Sequence, residues 1–356
     1  ASAGIPVGWR PLSMTPDLTW LSLVSLATPL AAFILAASFA GKQEYLVAAL
    51  IAIGCLSGLL GMLQILGPNG GQFYFYRITN ADSAVGLFAN RNHQATLLAC
   101  LFPLIAVIAS EPERDARKAR FRNAALIGLM GVLIPLILIT GSRAGLALSV
   151  VGIAWAALIY KMPSSRIIRG EETGTRRIVL LSVVLYGLGV AFLAAILARA
   201  EALERLLGGD EGGISRLKIW TLTVAQAKEF LPFGTGFGGF AEMFQIVESD
   251  EMLSPFYINR AHNDWLELLH SGGLPALALL LGFLIWWLLA ARTIIRKETR
   301  RSPAGRIGIA GLAVTSILGL ASTVDYPLRV PSLACLFAVG LVWIGLGRAR
   351  EGRVAP

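Results

Sequence analysis

Charge is scarce in this 356-residue sequence: charged residues make up 15% of it against 55% hydrophobic ones, and the mean hydropathy is +0.67. So little polar surface cannot cover a soluble globule, which leaves an integral membrane protein. Cysteine is scarcer still. Cys55, Cys100 and Cys335 lie inside apolar runs without paired spacing, which excludes a disulfide framework or a thiolate metal site and leaves small buried hydrophobes. No Asp-x-Asp occurs anywhere, and Asp210-Glu211 and Asp250-Glu251 are isolated pairs, so a metal-dependent mechanism finds no support and no cofactor is expected. Gly234, Gly236, Gly238 and Gly239 follow no strand and precede no Lys-Ser or Lys-Thr, so the nucleotide-binding fingerprints fail and a tight connection is expected instead. Residues 1–17 carry Pro6, Trp9, Arg10, Pro11 and Pro16 but no basic segment leading into an apolar core, so they are not a signal peptide. They read as a loop, with further membrane helices expected upstream of Ala1.

What is abundant is the long apolar run. A helix needs about 20 mostly apolar residues to span the hydrocarbon core, and nine segments qualify, approximately 18–40, 45–66, 94–110, 123–141, 144–160, 178–198, 264–291, 306–323 and 331–347. They are continuous rather than alternating, unlike barrel strands. The expected fold is therefore an all-α integral membrane bundle of about nine transmembrane helices. Helices in 1–198 and 264–356 flank one large polar loop, 199–263, that contains short helices.

The net charge of +9 sits in short clusters at 111–122, 161–177 and 292–306 and in the tail with Arg348, Arg350 and Arg353. Threading nine helices puts all four on one side, which the positive-inside rule makes cytoplasmic. Loops of that kind, rather than a nucleic-acid surface, account for the basic balance. The other side then receives 67–93, the turn Gly141-Ser142-Arg143, the interval 199–263 and the short loop 324–330.

Those outer segments hold the polar residues that a membrane protein keeps for a purpose, because ionisable groups at the membrane boundary are costly to desolvate. Asn90 and Asn92 in Asn90-Arg91-Asn92-His93 read, taken alone, as caps of the next helix. Arg143 is on a turn too short to carry it far from the bilayer, so an interfacial anchor and a substrate contact are evenly weighted. Arg216, in Ser215-Arg216-Leu217-Lys218-Ile219-Trp220, fits a surface amphipathic helix whose Lys218 faces solvent or headgroups. His262 closes the large loop where it meets the membrane. Glu267 and His270 share a helix face, and packing explains them better than metal ligation with His262 does.

Taken together, Phe88-Ala89-Asn90-Arg91-Asn92-His93-Gln94-Ala95, Thr140-Gly141-Ser142-Arg143-Ala144-Gly145, Arg216 with Trp220, Pro232-Phe233-Gly234, and His262-Asn263-Asp264-Trp265-Leu266 before Gly273-Leu274-Pro275 resemble, in order and spacing, the O-antigen ligase and polymerase superfamily of bacterial envelope glycosyltransferases. Trp9-Arg10-Pro11-Leu12-Ser13 and Asp325-Tyr326-Pro327-Leu328-Arg329 look like further family positions. The sequence departs from that pattern at Ser271, where an acidic residue is common, and at Arg91, where a Pro or small residue is.

The resemblance implies a GT-C-like, multi-pass protein of the bacterial inner membrane with its active site facing the periplasm. It implies metal-independent, inverting transfer of a glycan from an undecaprenyl pyrophosphate carrier to an acceptor hydroxyl, on lipid A core for a ligase or on another carrier-linked repeat for a polymerase. The departing pyrophosphate needs arginines, for which Arg143 and Arg216 are the candidates. The weakly nucleophilic hydroxyl needs a base, and His262 is suited to that, with Asn263 or Asp264 orienting it. Asn90, Asn92, His93, Asn263, Asp264 and Trp220 are the expected substrate contacts. A transporter is the rival class, but it places charges at the midplane and shows repeated halves, neither of which is seen here. A structural subunit of a polysaccharide assembly complex is the third reading.

Overall fold

The structure is a computed structural model and describes residues 11–39, 41–113, 115–160, 216–253, 257–296 and 302–349. The expected helix at 178–198, the basic segment 161–177 and the first part of the outer interval, 199–215, lie outside these residues. Every regular element described is helical: α1 (Pro16–Ser25), α2 (Ala27–Ser38), α3 (Gln43–Leu66), α4 (Arg91–Ala109), α5 (Ala116–Leu138), α6 (Arg143–Ile159), α7 (Arg216–Glu229), α8 (Phe240–Phe244), α9 (Asp264–Ile294), α10 (Pro303–Ala321) and α11 (Pro331–Ala349). Among the described residues seven spans, with α1 and α2 counted as one, are long and apolar enough to cross a membrane, and α6 is a shorter apolar helix. The protein is an all-α, multi-pass membrane protein.

The buried centre is α4 and α10. α4 packs against α3, α5, α6 and α10, while α10 also packs against α6 and α11. With no hydrophobic drive between helices inside lipid, close approach over small residues supplies the contact. A Cβ placed on Gly152 of α6 meets the Ala99 carbonyl of α4 at 2.5 Å, and one on Gly308 of α10 meets Gly347 Cα of α11 at 2.9 Å.

Two boundaries differ from those expected. The basic stretch 111–122 is not all loop, because the Asp115 carboxylate accepts from the backbone N–H groups of Arg117 (2.8 Å) and Lys118 (3.3 Å) and starts α5 early. Arg122 then reaches back to the Glu111 carbonyl at 2.8 Å. The run at 264–291 is not one straight helix. Gly273 has φ 58° and ψ −147°, and Pro275 brings no N–H to the ladder.

The glycine-rich connection after α7 satisfies the polar groups which that break frees. Thr235 N donates to the His270 carbonyl (3.0 Å), Gly236 N to Ser271 (2.9 Å), and Leu274 N to Pro232 (2.8 Å). From the other side, Met14 N donates to the Thr235 carbonyl (2.9 Å) and the Thr19 hydroxyl to Phe237 (2.9 Å), so the start of α1 straps the same loop. Gly234 sits at φ 76°, and a Cβ there would stand 2.6 Å from the Ser271 carbonyl carbon. Gly234→Ala is therefore expected to cost about 1–3 kcal/mol, read as a lower unfolding midpoint in detergent; a midpoint equal to wild type would show that the loop does not brace α9.

Candidate functional site

One end of the bundle gathers four chain segments: the N-termini of α4, α6 and α9, and the loop 322–330 between α10 and α11. Each N-terminus is capped by the residue type that favours it. Asn90 Oδ1 accepts from Asn92 N (2.8 Å), Ser142 Oγ from Gly145 N (3.0 Å), and Asn263 Oδ1 from Leu266 N (3.0 Å). The N–H of Asp264 donates to the Ser322 carbonyl at 2.9 Å, fastening the start of α9 to the end of α10.

At the centre is Asp325, 3% exposed. Its Oδ2 accepts from Asn92 Nδ2 at 2.7 Å and, at 3.5 Å, from Asn90 Nδ2. Its Oδ1 takes Tyr326 N at 3.0 Å and His262 Nδ1 at 3.2 Å. Burial acts to raise its pKa, but the hydrogen bond from His262, the charges of His93 and His262 and the hydrogen bond from Asn92 outweigh burial and hold it at about 2. The carboxylate is therefore ionised and accepts from His262 Nδ1, leaving Nε2 as the ring nitrogen that Asp325 does not engage.

His262 reaches this position at a cost. Among the described residues it is the one non-glycine residue with positive φ, 51°, a conformation worth roughly 1–2 kcal/mol of strain in an L-residue. The left-handed turn sends the ring toward Asp325 just before Asn263 caps α9. Its side chain stays 28% exposed and rests edge-on to Tyr326, centroids 5.0 Å apart. Burial, followed by the Asp325 charge, raises the Tyr326 phenol above its ordinary range.

A second set of charges lies beside the first. Glu267, 1% exposed, accepts from Arg260 Nη1 (3.0 Å) and Ala261 N (3.1 Å), with Arg329 Nη2 at 3.5 Å. Asp264 accepts from the Ser322 hydroxyl (2.9 Å) and Leu328 N (3.1 Å), with Arg329 Nε at 3.4 Å. Two carboxylates against two guanidiniums leave that set balanced, and it fixes the backbone on both sides of His262.

The expected site residues fall into three groups. His262, Asn90 and Asn92 meet at Asp325. Asn92 is not a cap, since both ends of its amide are occupied: Nδ2 by Asp325 and Oδ1 by the Ser142 hydroxyl at 2.8 Å. Asn263 and Asp264 are adjacent but do not orient the His262 ring; Asn263 caps α9, Asp264 faces Ser322 and Arg329, and the ring is held by Asp325 instead. His93 is buried beneath Tyr326, 4% exposed. Trp220 joins by donating from Nε1 to the carbonyl of Ala261, next to His262, at 2.9 Å.

Arg143 follows Ser142, so it is linked to His262 through Ser142, Asn92 and Asp325; its side chain is exposed. Arg91, the departure from the family pattern, puts Nη1 4.0 Å from where a Gly141 Cβ would stand, over the same turn. Arg216, the first described residue of α7, lies one turn before Trp220, and no hydrogen bond or ion pair joins it to Asp325 or His262 among the described residues. Lys218 pairs with Glu251 at 2.7 Å. His270 is packing, as expected: it is fully buried, with Nε2 2.8 Å from Gln226 Oε1.

Asp325, which the structure puts at the centre of these contacts, was absent from the sequence-derived site. Its signal was available in the short outer loop, where a single acid between two apolar helices has to be compensated.

Residues 128–281 match a family model described as O-antigen ligase, which supports the superfamily resemblance drawn from the motifs. The matched segment contains Arg143, Arg216 and His262. No curated protein matches the chain.

Proposed function

With an O-antigen ligase domain matched over 128–281 as the premise, and with it an envelope glycosyltransferase activity of the ligase or polymerase kind, we propose that this protein moves a glycan from an undecaprenyl pyrophosphate carrier to a hydroxyl of lipid A core at the periplasmic face of the bacterial inner membrane. The observation that carries the reading is His262 itself: a partly exposed imidazole on strained backbone, with Nδ1 on a buried, ionised carboxylate and Nε2 outside that contact. That is the arrangement of a general base.

In the proposed reaction His262 Nε2 takes the proton of the acceptor hydroxyl as its oxygen attacks the anomeric carbon. The bond to the carrier's phosphate oxygen breaks, the anomeric configuration inverts, and undecaprenyl pyrophosphate leaves with the bonding pair. Asp325 offsets the imidazolium that forms. Arg143 and Arg216 take the negative charge that grows on the leaving group, with no metal in the step. Asn90, Asn92 and Asp264 shape the pocket wall by holding Asp325 and the start of α9, Asn263 caps that helix, and Trp220 supports the turn at Ala261. The interval 199–263 is the catalytic loop between the two helical portions, and the basic helix ends face the cytoplasm.

The test is the purified protein with a lipid-pyrophosphate-linked glycan and each acceptor in turn, with and without chelator. Glycan appearing on lipid A core, undiminished by EDTA, is the expected result. Transfer to a second carrier-linked repeat assigns a polymerase instead, and an EDTA loss restored by magnesium or manganese sinks the two-arginine account.

A further inference from the structure

Asp325 faces a second imidazole that the transfer step leaves unused. His93 Nε2 lies 3.9 Å from the same Oδ1 that bonds His262, and this buried nitrogen has no hydrogen-bond partner. Tyr326 stands edge-on to both rings, 5.0 Å from each centroid, and Phe88 flanks His93 at 6.3 Å. Covered in this way, His93 has no open approach for a sugar. It does have a line to the carboxylate.

Resting on the transfer reading, in which His262 is the base, we propose that His93 is a positioning residue that competes with His262 for Asp325 and so sets the pH at which His262 becomes a working base. A lone pair on His93 Nε2 would be repelled by the carboxylate, so that nitrogen carries the proton and turns its positive end toward Oδ1 across 3.9 Å, beyond hydrogen-bond reach. Positive charge beside one oxygen weakens its hold on its donors, and Oδ1 takes His262 Nδ1 and Tyr326 N within the field of the His93 N–H. Full protonation of both rings is opposed, because two imidazoliums would then share one carboxylate.

The other groups around the pair do not titrate in step with it. Asn92 and Asn90 face Asp325 from the start of α4. Tyr326 comes from the same loop as Asp325, and its phenol is shifted upward, away from neutrality. Arg260 and Glu267, from the segment carrying His262, face each other at 3.0 Å. Arg329 lies against Asp264 and Glu267. The titratable groups that act directly on Asp325 are the two histidines.

The experiment is the pH dependence of kcat for the purified full chain and three variants. His93→Phe and His93→Leu remove the donor at two sizes, so that either one, if folded by circular dichroism, suffices. His93→Gln keeps a donor that cannot titrate. Relieved of the competing His93 N–H field, Asp325 holds the His262 imidazolium more firmly, so the acid limb should move to higher pH by about 0.5–1 unit in the Phe and Leu variants and by less in Gln. An acid limb that stays in place in a folded Phe or Leu variant overturns the inference, as does a loss confined to carrier affinity, which would make His93 a substrate contact. The transfer reading fails separately, through a His262→Ala protein that keeps its turnover.

Discussion

His262→Ala should lower turnover by about 10²- to 10⁴-fold, the usual size of a lost general base, while the protein still binds its lipid-linked donor. The separation follows from when the base acts. Proton removal belongs to the transition state, so truncating the ring spares ground-state affinity and lowers kcat and kcat/KM together. The truncation also removes a residue held at φ 51°, but alanine meets the same left-handed backbone, so strain is not relieved and stability is not where the effect falls. Because Asp325 acts through the ring it holds, the double variant His262→Ala/Asp325→Ala should be no slower than His262→Ala alone. Additive losses would give Asp325 a role of its own. Near-normal turnover in folded His262→Ala protein removes the histidine from the mechanism.

Asp325 also ties the site to the pH stability of the fold. Its native value of about 2 lies below the ordinary carboxylate value near 4. Its contribution is therefore complete above about pH 4 and is lost as pH falls through about 2.

The helices were legible because a bilayer demands about 20 apolar residues at a time, and α3, α10 and α11 answer that demand within a few residues. Of the two caps read from the sequence, Asn90 is one and Asn92 is not, while Ser142 and Asn263 cap their helices without having been read that way. The break in α9 was hidden, since Gly272-Gly273 inside an apolar run is compatible with an intact helix until the backbone of 232–236 is seen to pair with it. The loop and the break fit only each other. His262 was identifiable by its place at the end of the one long polar interval, but its partner was not, because Asp325 lies 63 residues further on. Local chemistry pointed to the neighbours, Asn263 and Asp264, whose helix phase turns them to capping and to Arg329. A partner supplied by another loop has no signature in spacing.

Arg216→Ala and Arg143→Ala should each slow transfer by about 10²- to 10³-fold, the scale of a lost charge-stabilising donor, and unlike His262→Ala they should also weaken carrier binding. The pyrophosphate is anionic before the glycosidic bond breaks and more so afterwards, so a guanidinium that meets it acts on both states. The surroundings of His262 are already balanced. Asp264, Glu267 and Asp325 are buried there, and Arg260 and Arg329 are already committed to Glu267 and Asp264. On the proposed reading the cations that meet the phosphate are Arg143 and Arg216. Arg143 begins α6, where the backbone dipole adds to the attraction for an anion. Lysine at either position should rescue little, because a point charge does not reproduce the planar fork that takes two phosphate oxygens at once. Donor affinity measured beside turnover decides between the alternatives: turnover lost at unchanged affinity gives the arginine a transition-state role only, and neither quantity moving leaves it an interfacial anchor.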